Sequence, residues 1–222
     1  MSSPKLCIVM WYNSAIQEYA DINFEINKVY CSIHGYDIVR SHHKTYQDRP
    51  AQWERLPLIL EYLKYYDYVM YIDSDAHFYV DGSDIMGIIK QNLDKAFIFS
   101  GDINQKYDFE LNSGVLIVKN CPKSIQILTE WAYSIDFYNK RFGYYYNDKY
   151  YLYNDQGVLQ HMYWCNYANI VENSIVLPYG ILQHFSSDEK FQQQPYIFHM
   201  AGSNKKQRIS NSKKYWNKIW QS

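Results

Sequence analysis

The stretch Tyr68-Val-Met-Tyr-Ile-Asp-Ser-Asp-Ala-His-Phe78 ends an apolar, β-prone run in two carboxylates, Asp73 and Asp75. Alternate residues of an extended chain point to one side, so this pair can converge on a single point just past the strand. Two convergent carboxylates in front of an apolar sheet are costly unless a positive charge sits between them. A divalent cation with oxygen ligands is the usual solution. His199, in Pro195-Tyr-Ile-Phe-His-Met-Ala-Gly202, ends another β-like run and offers an imidazole. Oxygen ligands plus one imidazole suit Mn²⁺, with Mg²⁺ as the alternative. Gly202 allows close backbone approach to a bound group. Ser203, Lys205 and Lys206 add hydroxyl and ammonium groups, a setting that suits a cation holding a diphosphate. His77 shares the parity of Asp73 and Asp75 and reads as a neighbour rather than a further ligand.

Two more polar groups stand out. Asn112-Ser113-Gly114 precedes the apolar run Val115-Leu-Ile-Val118. It reads either as an ordinary turn, with glycine supplying a positive φ, or as a hydrogen-bonding shelf. Asp155-Gln156 opens a helix-like segment, where it either caps the helix and offsets its dipole or contacts a substrate.

The elements that must position these residues follow from periodicity. Lys5–Trp11 reads as a buried strand and Tyr36–Arg40 as the second. Between them lies a helix capped by Asn13 or Ser14 and closed by Gly35, with Ile16, Tyr19, Ala20, Ile26, Val29, Tyr30 and Ile33 at near-helical spacing. Gln52–Tyr65 reads as a second helix and Tyr68–Ile72 as a third strand. Two strand–helix units followed by a strand imply a parallel sheet with crossovers. In such sheets ligands sit beyond the carboxyl ends of the strands, where Asp73 and Asp75 fall. Further on, Asp84–Leu93 reads as a helix and Ala96–Ser100 as a strand. Pro122–Ile135 reads as a helix with Ile125, Leu128 and Trp131 inward. Phe137–Tyr153 reads as a long aromatic surface loop. Asn154–Asn166 reads as a helix capped by Asn154 or Asp155. Ser174–Phe185 and Tyr196–His199 add strands, and Lys213–Trp220 a terminal helix.

The chain has 222 residues, enough for one domain with a sizeable core, and a formal charge of −1. That balance excludes a general polyanion-binding surface and with it nucleic acid as a partner. The one basic cluster, Lys205, Lys206, Arg208, Lys213 and Lys214, reads on its own as a solvated tail. Four cysteines without CxxC spacing fit a reducing compartment. No signal peptide and no membrane-spanning run is visible, so the expectation is a soluble, cytoplasmic chain.

The order Trp53…Arg55, Tyr71-Ile-Asp-Ser-Asp-Ala76, Leu111-Asn-Ser-Gly114, Asp155-Gln156 and His199…Gly202 resembles GT-A-fold glycosyltransferases. The galactosyl/xylosyltransferase family, glycosyltransferase family 34, is the nearest match, and the glycogenin-like family 8 is a near second. The resemblance runs from Leu6 to about Lys205. It implies a single α/β, Rossmann-like domain over 1–222, with a mixed, mainly parallel sheet flanked by helices. Residues 1–110 would form the nucleotide-binding half, 111–205 the sugar and acceptor half, and 206–222 a C-terminal helix or tail. It further implies that Asp73, Ser74 and Asp75 bind Mn²⁺ and a UDP-sugar, Asp75 as the firmer ligand and Asp73 also near the ribose. His199 would be the third ligand. Asn112, Ser113 and Gly114 would contact the donor sugar, Asp155 and Gln156 would flank the reacting carbon, and Arg55 would sit near the donor. Val9, Trp11 and Tyr12 would line the nucleobase pocket. Members often carry a lysine five residues after the histidine. Here that position is Asn204, and Lys205, beside Gly202, becomes the candidate diphosphate contact, with Lys206 or a backbone amide as alternatives.

The implied activity is metal-dependent transfer of a hexose or pentose from a UDP-sugar to a hydroxyl of a glycan or glycoprotein, with retention at the anomeric carbon. The 25 tyrosines offer flat faces and hydroxyls to sugars, and Tyr144–Tyr153, with Tyr145 and Tyr151, is the candidate acceptor side. A non-catalytic GT-A module that binds a nucleotide sugar or glycan is the competing reading. A haloacid-dehalogenase-type phosphatase also carries a DxD, but on its first strand with Thr or Val following. Here it lies on the third strand, followed by Ala76-His77.

Overall fold

The computed structural model describes residues 4–103, 105–134, 143–146, 149–152, 154–185, 191 and 193–221, with 143–146 and 149–152 described as backbone only. In chain order the strands are β1 (Leu6–Trp11), β2 (Asp37–Ser41), β3 (Tyr68–Ile72), β4 (Ala76–Phe78), β5 (Phe97–Gly101), β6 (Leu111–Lys119), β7 (Gly143–Tyr146), β8 (Lys149–Leu152), β9 (Ser174–Leu177), β10 (Gln183–His184) and β11 (Ile197–His199). The helices are α1 (Gln17–His34), α2 (Arg55–Tyr62), α3 (Met86–Gln91), α4 (Pro122–Tyr133), α5 (Asp155–Trp164) and α6 (Lys205–Ile219).

Six strands form the main sheet in the order β2-β1-β3-β6-β5-β9. β1 runs parallel to β2 and β3, and β9 parallel to β5, whereas β6 is antiparallel to both its neighbours. Helices cover both faces, so every residue of β1, β3 and β5 is buried and their sequences read as unbroken apolar runs. The alternation of strand side chains divides the core in two. Cys7, Val9, Trp11, Val69 and Tyr71 pack against Leu56 and Ile59 of α2, Ile127, Leu128 and Trp131 of α4, and Leu159 of α5. Leu6, Ile8, Met10, Met70 and Ile72 face Tyr30 of α1, Ile88 and Ile89 of α3, and Phe78 and Ile197. Trp53 and Trp131 are fully buried, and truncating either to alanine would cost about 3–5 kcal/mol. A second sheet, β10-β11-β4, stands next to the carboxyl end of β3, and α6 packs on α1.

Several sequence expectations change. Neither Asn13 nor Ser14 caps α1; its N-cap is Ile16, and Asn13 instead closes a turn by accepting from the Ala15 N–H at 3.1 Å. Gly35 does close α1, in the left-handed conformation at φ 74°. The segment expected as one helix from Gln52 is a 3₁₀ turn, Ala51–Glu54, followed by α2. Pro57 falls in the first turn of α2, where no N–H is needed. On α4 the inward face is Ser124, Ile127, Leu128 and Trp131, which leaves Ile125 exposed at 45%. The expected loop Phe137–Tyr153 contains the β7–β8 hairpin, while the tyrosine side chains proposed to face an acceptor lie outside the described residues. The basic cluster read as a tail belongs to α6, which starts at Lys205 behind a capping box made by Asn204 and Gln207.

Cys7, Cys31, Cys121 and Cys165 are free. Among the described residues no helix is long and apolar enough to cross a membrane. Asn154 caps α5 by accepting from the Gly157 N–H at 2.6 Å, and so fixes the helix start that carries Asp155. Asn154→Ala is expected to lower unfolding free energy by about 1 kcal/mol in a urea titration.

Candidate metal and donor site

The chain turns sharply after β3. The Asp73 N–H extends the β3–β6 ladder by one bond, to Gly114 O at 2.7 Å, and the Ala76 N–H then folds back onto Asp73 O at 3.0 Å. The carboxylates therefore converge through a turn rather than along a straight strand. β4 follows, paired with β11 so that Ala76 lies opposite His199, and the Met200 N–H bonds Asp75 O at 2.9 Å. This register brings the distant histidine to the turn. His199 Nε2 lies 3.2 Å from Asp75 Oδ1 and 3.7 Å from Asp73 Oδ2.

These three ligand atoms lie within 4.8 Å of one another. Adjacent ligands of an octahedral ion at 2.0–2.1 Å stand about 3 Å apart, so the spacing fits a small divalent cation. Two further features fit one. Gln183 Oε1 accepts from His199 Nδ1 at 2.7 Å, which leaves Nε2 facing the carboxylates. A Cβ built on Gly114 would lie 2.5 Å from both Asp73 Oδ2 and His199 Cε1, so only glycine leaves room for this cluster. His77 is a neighbour: it is buried beneath the Tyr215 ring at 4.3 Å, and burial pushes its pKa down to about 4.

Two arginines balance the acidic groups. Arg55, on the first turn of α2, is buried, with its guanidinium 3.3 Å from Asp73 Oδ1 and 3.2 Å from Asp155 Oδ2. It also donates to Ser113 O and Gln52 O and lies over the Tyr71 ring. Burial alone would lower its pKa, but the Asp155 and Asp73 carboxylates raise it instead. Burial raises the pKa of Asp155, and Arg55 opposes that rise. On the other side, Arg208 reaches Asp75 Oδ2 at 2.9 Å and Tyr19 Oη at 3.2 Å. Burial acts to raise the Asp75 pKa, yet His199 and Arg208 hold it below its ordinary value. His199 is raised: burial opposes its protonation, and Asp75 more than offsets this.

Asn112-Ser113-Gly114 is not a turn, and Gly114 has no positive φ. The three residues belong to β6 where its pairing with β5 slips, from Phe99 opposite Leu116 to Ser100 opposite Asn112. At this bulge Ser113 and Gly114 have no partner on β5, while Asn112 rejoins the ladder opposite Ser100. Gln156 Oε1 accepts from the Ser113 N–H at 3.1 Å, and the Ser113 hydroxyl donates to Asp155 Oδ2 at 3.3 Å. Gln156 in turn donates to Asp102 Oδ2 at 3.1 Å. Burial raises the Asp102 pKa.

Other sequence candidates lie differently. Val9 is fully buried, its isopropyl group part of the core cluster with Trp11, Leu56 and Tyr71. Trp11 and Tyr12 end the same strand: Trp11 donates to His43 O, and Tyr12 Oη donates to Asp21 and accepts from Arg40. Lys205 lies on α6, but its ammonium bonds Ala15 O at 3.1 Å, and the cation on Asp75 is Arg208. Gly202 sits in an open turn at φ 74°. Sequence reasoning missed Arg208, Gln183 and Asp102 as site residues. The Asn204…Gln207 capping-box spacing was a usable signal for Arg208, since it starts the helix early enough to bring that residue back over the turn. No local pattern marks Gln183 or Asp102.

No family model matches the chain. It is 28% identical over 141 residues to xyloglucan 6-xylosyltransferase 4 of Arabidopsis thaliana, a match covering 59% of this chain and 26% of that protein. It is 25% identical over 140 residues to galactomannan galactosyltransferase 1 of Cyamopsis tetragonoloba, covering 59% and 30%. The matched region thus spans less than a third of the length of these curated relatives. Both are galactosyl- or xylosyltransferases, the kind the sequence resembles. Among solved structures, a glycosyltransferase involved in glycosylation of the major capsid of PBCV-1 superposes with a TM-score of 0.71 at 16% identity, covering 95% of this chain and all of that one. The galactosyltransferase LgtC, solved with donor and acceptor sugar analogues, gives 0.57 at 11% identity over 96% and 95%. The fold is the GT-A fold of these glycosyltransferases.

Gly114→Ala is expected to leave the protein folded while weakening divalent-cation binding at this candidate site at least tenfold by calorimetry, since the new Cβ displaces Asp73 and His199. A second expectation concerns pH. A group with a raised folded pKa stabilises below its unfolded value, and the effect is lost as pH rises through the folded value. For His199 that loss begins above 6.5; for Asp75, held below 3.8, stability is lost only as pH falls through its depressed value. In chelator, thermal stability should therefore decline as pH rises above 6.5, and His199→Gln should flatten that slope.

Proposed function

We propose that this chain is a metal-dependent glycosyltransferase that moves a hexose or pentose from a UDP-sugar to a hydroxyl of a glycan or glycoprotein acceptor, with retention at the anomeric carbon. The observation that carries this reading is the meeting of Asp73, Asp75 and His199 beside a bulged Asn-Ser-Gly segment and the Asp155-Gln156 helix start. Asp73, Asp75 and His199 would hold the cation, Mn²⁺ or Mg²⁺, which supplies Lewis-acid stabilisation of charge on a leaving diphosphate.

The chain's own groups divide the remaining work. Arg208 is the cation best placed to share the diphosphate side, and it takes the role expected of Lys205. Asn112 and Ser113 present polar groups to the donor sugar, and the absence of a side chain at Gly114 keeps the space beside Asp73 open. Asp155 is tied through Oδ2 to both Arg55 and Ser113. A carboxylate so fixed acts as an electrostatic stabiliser of positive charge at the anomeric carbon more readily than as a free nucleophile. This favours a front-face displacement in which the leaving phosphate oxygen takes the acceptor proton. Gln156 is oriented from both ends, by Ser113 and Asp102, and presents its amide to the same centre.

A panel of nucleotide sugars with Mn²⁺ tests the reading, scored by thermal stabilisation and UDP release. One UDP-sugar is expected to do both. Asp75→Asn should keep the fold at reduced stability and lower UDP release, assayed well below its unfolding midpoint, by at least about a hundredfold. Stabilisation by a nucleotide sugar without any UDP release would instead identify a binding module, and turnover in Asp75→Asn equal to wild type would remove the metal assignment.

A further inference from the structure

We propose that Asn23 and Asn27, one turn apart on α1, are positioning residues for the cation cluster; this rests on the metal-dependent reading above. Both side chains are fully buried, where an amide is costly unless it is used. Asn23 Nδ2 donates to Ser74 O, between the two aspartates, at 2.9 Å. Asn27 Nδ2 donates to Ala76 O at 3.2 Å, and its Oδ1 accepts from the Phe78 N–H at 2.8 Å. Among the described residues β4 is the outer strand of its sheet, with β11 on one side only. A parallel neighbour would bond the carbonyl and the N–H on either side of His77. The Asn27 carboxamide bonds those two groups and so stands in for the missing strand.

Asn23 and Asn27 stand four residues apart on one face of α1, and from that face one amide reaches the turn at Ser74 and the other the start of β4 at Ala76. The acidic turn is gripped from both sides, by β11 through Met200 and by α1 through the two amides. Asn23 contributes a donor at some cost, since its Oδ1 is buried with no partner among the described residues. A leucine would fill the same volume without that orphan, so packing does not account for the amide. Holding Ser74 O fixes the backbone between Asp73 and Asp75, and hence the separation of their carboxylates.

Asn23→Leu tests this, with Asn23→Ser as the variant of choice should leucine fail to fold. Mn²⁺ affinity is measured by titration calorimetry and by the Mn²⁺ paramagnetic resonance signal, well below the unfolding midpoint. Ile127→Val in α4, destabilised but remote from the turn, is the control. The expected result is a 10–100-fold weaker Mn²⁺ affinity in the Asn23 variant, with wild-type affinity retained in Ile127→Val. Wild-type binding together with an Asn23 variant within twofold of it overturns the positioning role alone. A wild type that takes up no Mn²⁺ overturns the metal reading and the positioning role with it.

Discussion

Three acidic side chains, Asp73, Asp75 and Asp155, meet at the border of an apolar core, and the edge of the sheet is arranged around that constraint. Asp75 and Asp155 are almost fully buried, and each ion so placed carries a desolvation penalty of several kcal/mol. Arg55 offsets two of them at once, and Arg208 with His199 offsets the third. Such pairs add little net stability, but removing one partner strands the other at a cost of about 3–5 kcal/mol. The consequence is architectural. Arg55 ties α2 to the end of β3 and the start of α5, and Arg208 ties α6 to the turn and to Tyr19 of α1. Elements far apart in sequence are registered against one another by charge as well as by packing.

The parts of this arrangement that the sequence revealed share one property. β1, β3 and β11 are buried on both faces, so their ends show as sharp switches from apolar to polar residues, and Asp73, Asp75 and His199 stand at those switches. The parts that stayed hidden depend on pairing between distant segments. A short polar tripeptide with glycine reads locally as a turn. That Asn112-Ser113-Gly114 is strand follows from β6 being held by β3 while it slips past β5, and no local pattern encodes this. Arg208 was lost in a basic run that reads as solvated, because what orders it is a carboxylate more than a hundred residues away. The inward face of α4 was misjudged by a fraction of a turn, since Ile125 and Ile127 are equally apolar and only the sheet beneath decides between them.

The structural likeness at 16% identity shows how loosely this fold is bound to particular residues. What persists is a pattern of buried strands and covering helices, and that pattern says little about chemistry. The functional reading therefore rests on the site: the spacing of three ligand atoms, the room left by one glycine, and the hydrogen bonds that orient Asp155, Gln156 and His199. Cavities of about 480 Å³ open elsewhere, one at the amino edge of the strands beside Lys5, Tyr36 and Asp84, and neither its position nor its lining connects it to this cluster.

The grip of Asn27 on β4 has an effect on the molecule's surface chemistry as well. An outer strand normally presents a row of unused N–H and C=O groups, a template on which another chain can build. Here the Ala76 carbonyl and the Phe78 N–H are already engaged by a carboxamide, and α1 lies over them. An incoming strand finds neither a donor nor an acceptor on that side. The contact that steadies the acidic turn thus also guards this edge against intermolecular strand addition and the aggregation that follows from it.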